Sequence, residues 1–381
     1  MAESKRPLYE VIYRSYGEQI LEGTLKPGDK LPSETEISEN FGVSRITAVR
    51  ALKELELRKL IYRIKGSGSF VNESDAIAKQ KENMMASNLS IISLVMPFEG
   101  TYSSDIFTGI EDVAKEKGYF VTIHNTSDDP QKEKNVIEEI IERGSHGIIV
   151  YPSSTSENMN LYSGLLIDNY PFVVIDKKFQ GIETPLVWAD NHSAFYKLTH
   201  HLFDQGHKRI VFVATDVFNI SSELERYKGF CKAHLDRGIP LINKHLFYNE
   251  DAKKIPSDYM PEDPLEVREC HYMIDSLEAI PKEIRPTAIA AVNDAAAAVI
   301  LSAILAKGLK VPENYAITGF DNLPFSEHLA VPLTTVAQPS YGIGFEAAKE
   351  LFEIIVAPGK TVTDKRIESS LIIRDSSKLT L

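Results

Sequence analysis

The chain has 381 residues, 43% hydrophobic and 25% charged, with a formal net charge of −12. That length fits two or three domains that each bury a core, and no apolar run approaches the roughly 18 residues of a membrane span. An acidic body repels phosphates, which excludes general affinity for nucleic acid and confines any such contact to a local patch.

Such a patch opens the chain. Residues 1–75 hold 12 Lys+Arg against 12 Asp+Glu, so the whole deficit falls on the remainder. Within them, "GVSRITAVRALKELELRKLIYRIKGSGSFV" (42–71) carries seven Lys or Arg and two Glu. Leu8, Val11, Ile12, Ile20 and Leu21 predict a first helix, closed by Gly23. Ser33 with Glu36 three residues later forms a capping box for a second helix, which Gly42 ends. Ser44 can cap a third, in which Ala48, Ala51, Leu52 and Leu55 share one face. Ile46, Arg50 and Lys53 lie opposite, with Arg45 and Val49 toward a margin. "LIYRIKGSGSFV" then reads as two short strands about a Gly-Ser-Gly turn. Three helices and a basic-tipped hairpin make a winged helix-turn-helix.

"LKPGDKLPSETEISENFGVSR", "ALKEL" and "LIYRIKGSGSFV" resemble the GntR family of bacterial transcription regulators, almost continuously over residues 7–72. A helix fits the major groove, and its first turn, here Ser44, Arg45 and Thr47, reaches base edges. Arg45 can make the bidentate contact to guanine, worth about 1–3 kcal/mol of discrimination. The resemblance adds Glu34 and Thr35 to the DNA-binding set. Lys65, Gly66 and Gly68 form the wing tip, where bare glycines let backbone approach the sugar-phosphate rail. The family carries a basic residue where this chain has Val49, and Arg50 follows one position later. Which arginine reads a base therefore stays open, and Arg50 is expected on a phosphate.

Residues 73–88 are polar and read as a linker, either a tether or a part that transmits strain. Beyond them the pattern alternates. Strands are predicted at 91–96, 119–123, 147–151, 172–176, 209–214, 287–292 and 315–320. Helical stretches between them include 106–117, 131–143, 192–205, 222–237 and 294–307. Near-continuous Val/Ile strands alternating with helices mean parallel sheet covered on both faces, here in two lobes. The expected class is α/β: a winged helix-turn-helix (1–72), the linker, and a two-lobed, doubly wound, periplasmic-binding-protein-like domain (89–381).

"GIEDVAKEKGY", "GIIVYP", "HLFDQGHKRIVFVA", "PTAIAAVND", "KGLKVPENYAITGFDN" and "PLTTVAQP" make residues 90–357 similar to the sensor part of the LacI/GalR repressors. A GntR head on a LacI-type body is the layout of the bacillary-type arabinose repressors. In open α/β sheets, ligands bind outside the carboxyl ends of the strands. Asp176 ends one strand, Asn293 and Asp294 follow another, and Asp321 ends a third. Arg226 opens a helix and Gln338 sits in a crossover. The resemblance implies that Asp176, Arg226, Asn293, Asp321 and Gln338 hydrogen-bond an effector's hydroxyls, which suits a monosaccharide. Phe98, Tyr102, Phe107 and Trp188 are available as aromatic walls.

His200, His201 and His207 have no carboxylate cluster to complete a zinc site, and "KGSGSF" lacks the rest of a dinucleotide loop. No cofactor is expected. Cys231 and Cys270 read as idle thiols. The expected function is a sugar-responsive repressor that binds double-stranded operator DNA as a homodimer. Two other readings share parts of the pattern: an exported sugar-binding protein, and a GntR head fused to an aminotransferase-like enzyme. The first lacks a secretory signal in MAESKRPLYEVIY, which favours a cytoplasmic location. The second leaves the sensor motifs unexplained. A sugar phosphate or another small metabolite stays open as the effector.

Overall fold

The computed structural model describes residues 8–64, 66–72, 89–97, 101–242, 245–248, 251, 255–256, 259–260, 265–359 and 363–378. Residues 73–88, Lys65 and Phe98 lie outside the described residues. The chain divides into two units: residues 1–91 with 352–360, and residues 92–351 with 361–381.

In the first unit, α1 (Leu8–Leu21), α2 (Glu34–Phe41) and α3 (Arg45–Leu57) close on one core that includes Ile12, Ile37, Ala48, Leu52 and Leu55. The punctuation follows local chemistry. Ser33 Oγ accepts from the Glu36 amide while the Glu36 carboxylate accepts from the Ser33 amide, so two orphan donors of α2 are satisfied. Gly42 turns left-handed at φ 63° and stops α2. Ser44 Oγ accepts from the Thr47 amide and starts α3. β1 (Ile61–Ile64) and β2 (Gly68–Val71) pair antiparallel, and Lys30 bridges to Phe70 from the far side. Gly66 in the turn and Gly68 at the start of β2 adopt φ of 83° and 121°, which a side chain would strain.

The second unit holds two open sheets. One has the order β13 (Asp364–Ile367), β7 (Leu186–Ala189), β6 (Phe172–Ile175), β5 (Ile148–Val150), β3 (Ile91–Met96), β4 (Phe120–Asn125). The other, all parallel, has the order β11 (Ala316–Thr318), β10 (Ala288–Ala291), β8 (Ile210–Val213), β9 (Leu246–Phe247). β5, β6, β7, β8, β10 and β11 are buried almost throughout, which is why they read as unbroken apolar runs. Around the first sheet run α4 (Thr101–Glu116), α5 (Pro130–Glu142) and α6 (Met159–Ile167). Around the second run α7 (Asn191–Asp204), α8 (Ser221–Arg237), α9 (Leu265–Glu278) and α10 (Asp294–Ala306). α7 and α8 touch backbone to backbone: a Cβ on Gly229 would stand 2.2 Å from the His192 carbonyl oxygen. β12 (Thr335–Ala337) then leads into α11 (Ser340–Val356) and pairs antiparallel with β14 (Ser370–Ile372).

Cys231 and Cys270 are not joined in a disulfide. His201 and His207 serve the packing through hydrogen bonds to Ser377 and Thr287. No described helix is long and apolar enough to cross a membrane.

Candidate operator interface and effector cleft

The head's polar face is organised around one carboxylate. Glu34 begins α2 directly after its cap, where the helix dipole favours negative charge. Its Oε1 accepts from Arg63 Nη2 at 2.5 Å, and its Oε2 from Arg45 Nη2 at 3.0 Å and Nε at 3.2 Å. Hydrogen bonds from Arg63 and then Arg45 hold the Glu34 carboxyl below the usual carboxylate range. The Arg45 side chain is 72% exposed at the start of α3. Thr35 and the turn residues Gly66 and Gly68 are also exposed, and Ile46 stands out beside Arg45 at 81%. Ser44 is exposed but spends its hydroxyl on the cap and on Thr47 Oγ1.

Arg50 departs from the sequence expectation of a phosphate contact. Its guanidinium carbon lies 3.9 Å from the Tyr9 ring centroid, folded onto α1, and its Nη1 is buried without a partner. The cause is local: Tyr9 offers an aromatic face one helix away, and a stacked guanidinium loses less hydration than an ammonium would.

In the body, polar groups converge at the carboxyl ends of both sheets. Asp176 follows β6, 2% exposed, and accepts from Tyr102 Oη at 3.2 Å. Tyr102 Oη also lies 3.5 Å from Gln338 Oε1. Gln338, just past β12, donates through Nε2 to Asp321 Oδ1 at 2.6 Å. Asp321 also receives Arg226, with Nη2 at 3.8 Å. Asp176 and Asp321 both sit at positive φ, 66° and 111°. Tyr102, Asp176, Arg226, Asp321 and Gln338 thus form one connected group drawn from both lobes.

Arg226 is itself fixed. Nε donates to Asn191 Oδ1 and Nη1 to the Val292 carbonyl, each at 2.8 Å, while its face lies 3.7 Å from the Phe320 centroid. Burial raises the Asp321 carboxyl to about 6; Arg226 and Gln338 oppose the rise, and Asp176 adds to it. Burial, with Asp176 nearby, likewise pushes the Tyr102 and Tyr151 hydroxyls well above their ordinary value, so both remain donors. Beside this group, Ser153–Ser156 and Lys177 from one lobe and Asn219 and Ile220 from the other line a cavity of about 170 Å³.

Some expected members stand apart. Asn293 caps α10 by accepting from the Ala296 amide, which leaves its Nδ2 without a protein partner among the described residues. Asp294, which follows the same strand, is fully buried and accepts from the Leu323 amide and Thr335 Oγ1; burial raises it to about 7. Trp188 is no wall of this group. It is 2% exposed in the core with Tyr162 and Phe172, and its Nε1 donates to Asp364. Phe107 is half-buried on α4, five residues beyond Tyr102 and so about 140° around the helix from it. Tyr151, Asn191 and Arg63 were not anticipated. Tyr151 directly follows β5, so the strand-end rule that found Asp176 also reaches it.

Comparison with known proteins gives this geometry its family. Residues 8–71 match "Bacterial regulatory proteins, gntR family". Residues 88–260 match "Periplasmic binding proteins and sugar binding domain of LacI family", and residues 199–377 match "Periplasmic binding protein-like domain". The chain is 32% identical to the arabinose metabolism transcriptional repressor of Geobacillus stearothermophilus, over 99% of this chain and 100% of that one. It belongs to the GntR-headed transcriptional repressors with a LacI-type sensor. A second relative, the HTH-type transcriptional repressor PurR of Mannheimia succiniciproducens, is 29% identical over 76% of this chain and 81% of its own. Among solved structures, the transcription regulator CcpA of Lactococcus lactis superposes with a TM-score of 0.64 at 25% identity, covering 76% of this chain and 100% of that one. A LacI family regulator from Enterococcus faecium with bound ribose superposes at 0.59, with the same identity and coverages. As a GntR-headed, LacI-type repressor, the chain binds operator DNA and a small-molecule effector and is not an enzyme.

Proposed function

We propose that this repressor works as a cytoplasmic homodimer on a two-fold operator, and that a neutral monosaccharide such as arabinose releases it. The observation that carries the effector class is the connected group Tyr102–Asp176–Gln338–Asp321–Arg226. Buried carboxylates accept from vicinal hydroxyls, and Arg, Gln and Asn donate to hydroxyl or ring oxygens. The charge balance favours a neutral ligand over a sugar phosphate. Two carboxylates face one guanidinium that already serves Asn191 and Val292, so the group's one cation is committed and a phosphate would lie against two carboxylates. The relative named for arabinose metabolism, and the ribose-bound structure, support a pentose.

In this reading Glu34, Thr35, Ser44, Arg45 and Thr47 face the major groove, and Gly66 and Gly68 face the flanking backbone. Calorimetry with arabinose, ribose, glucose and a pentose phosphate tests the effector. A mobility-shift assay on the operator selected by the chain from a random duplex pool tests release. Binding of arabinose together with loss of the shifted band is expected. Preferential binding of the phosphate would overturn the neutral-sugar reading.

A further inference from the structure

Arg63 is the third residue of β1, opposite Ser69 in the hairpin register. Its side chain reaches across 29 residues of sequence to the start of α2, where it takes one oxygen of Glu34 while Arg45 takes the other. A wing arginine and a recognition-helix arginine therefore share one carboxylate. The three side chains carry a net charge of +1, and a guanidinium has five N–H donors. Arg63 spends one of its donors on Glu34 and Arg45 spends two, so several remain on each.

A carboxylate alone on a DNA-binding face would repel phosphates. Glu34 is tolerated there because two cations surround it. Pairs this open to solvent are held weakly, so a phosphate can compete for the same donors. The two arginines also differ in reach. Arg45 projects at 72% exposure from the first turn of α3, whereas Arg63 lies lower at 33% on the hairpin beside it. Arg50, the next basic residue of α3, is turned onto Tyr9.

We infer that Arg63 is a second arginine of the operator interface, meeting a phosphate beside the groove that Arg45 enters, with Glu34 positioning both guanidiniums before DNA arrives. Arg45 supplies base reading from the helix, and Arg63 supplies position from the wing. Glu34 sets the distance between them and is a positioning residue.

The test measures binding of the full chain to its selected operator and to a scrambled duplex by fluorescence anisotropy across a salt series. Arg63→Gln, which removes the charge and shortens the side chain, is expected to bind both duplexes more weakly by similar factors. The slope of log K against log salt should fall by about 0.9, the value for one phosphate contact. Arg63→Lys should restore most of that slope. Glu34→Gln should strengthen binding to the scrambled duplex more than to the operator, narrowing their ratio. An unchanged slope and affinity in Arg63→Gln, with an unchanged melting curve, would overturn the phosphate contact, as would a loss confined to one base pair. An unchanged ratio in Glu34→Gln would overturn the positioning role. Operator binding by the parent, run alongside, separates these outcomes from failure of the head to bind DNA.

Discussion

The two polar centres use the same kinds of groups in opposite proportions. In the head, two arginines surround one glutamate on an open face. In the body, two aspartates lie around one arginine that is 5% exposed. The consequences for ionisation are opposite. Glu34 is held below the usual carboxylate range, whereas burial lifts Asp321 to about 6. An exposed excess of cation suits an anionic polymer that brings its own counter-charge. A buried excess of carboxylate suits a neutral ligand with many hydroxyl donors. The ratio of charges and their burial, more than the residue types, separates the proposed nucleic-acid face from the proposed sugar cleft.

The strongest way to break this contrast is to remove the buried cation. Arg226→Ala should abolish the response to effector and lower the body's stability by on the order of 3 kcal/mol, because Asp321 loses its cation. Calorimetry and thermal melting check both parts, with operator affinity without effector expected to persist. Arg45→Ala, at the exposed centre, should cost about 1–3 kcal/mol of operator discrimination and leave the melting curve in place. Competition between operator and scrambled duplex measures that loss.

The pH dependence sharpens the contrast further. Asp321 has a folded pKa raised above its unfolded value of about 3.9, so its ionisation costs stability as pH rises from about 4 through about 6. Effector affinity should run the other way, weakening as pH falls through about 6 and the acceptor is lost. In Asp321→Asn that dependence should vanish. Glu34 is shifted downward, so its contribution is complete above its unfolded value and disappears only in stronger acid. Operator binding without effector should owe no pH dependence to Glu34 between about 5 and 8. The smallest effect is expected for Arg50→Ala: about 0.5–1 kcal/mol of head stability from the lost Tyr9 stack, with operator affinity unchanged.

What could be read from sequence depended on how local the signal was. Ser33, Glu36, Gly42 and Ser44 act within a few residues, and the helices begin and end where those residues place them. The seven apolar strand runs all became strands. The missed strands include the apolar interior strand Leu186–Ala189 and two short or polar edges: Leu246–Phe247 has two residues, and Asp364–Ile367 is charged at three of four positions. Such edges form because a neighbouring strand supplies hydrogen bonds, which the segment's own pattern does not record. The strand-end rule picked out Asp176 and Asp321, which the fold brings together, whereas Trp188, expected as an aromatic wall, is buried in the core. β7 is buried on both faces, so nothing in "LVWA" tells which way the indole points. Arg63 was invisible for a related reason: its partner lies 29 residues earlier, and only the folded hairpin brings them together.

Asp176 and Asp321 stand on backbone that L-residues avoid, at φ of 66° and 111°. Such conformations cost about 1–3 kcal/mol each, and glycine relieves much of that cost. Asp176→Gly or Asp321→Gly would therefore tend to relax the backbone while removing a carboxylate from the cleft. The two demands on these positions pull apart. On the proposed function, a lineage selected only for thermal endurance would drift toward proteins that hold their operator and no longer hear the signal, leaving the genes they govern silenced. Under the proposed release by sugar, inducibility must be renewed by selection in each generation, because the easiest gains in robustness lie at the residues proposed to listen.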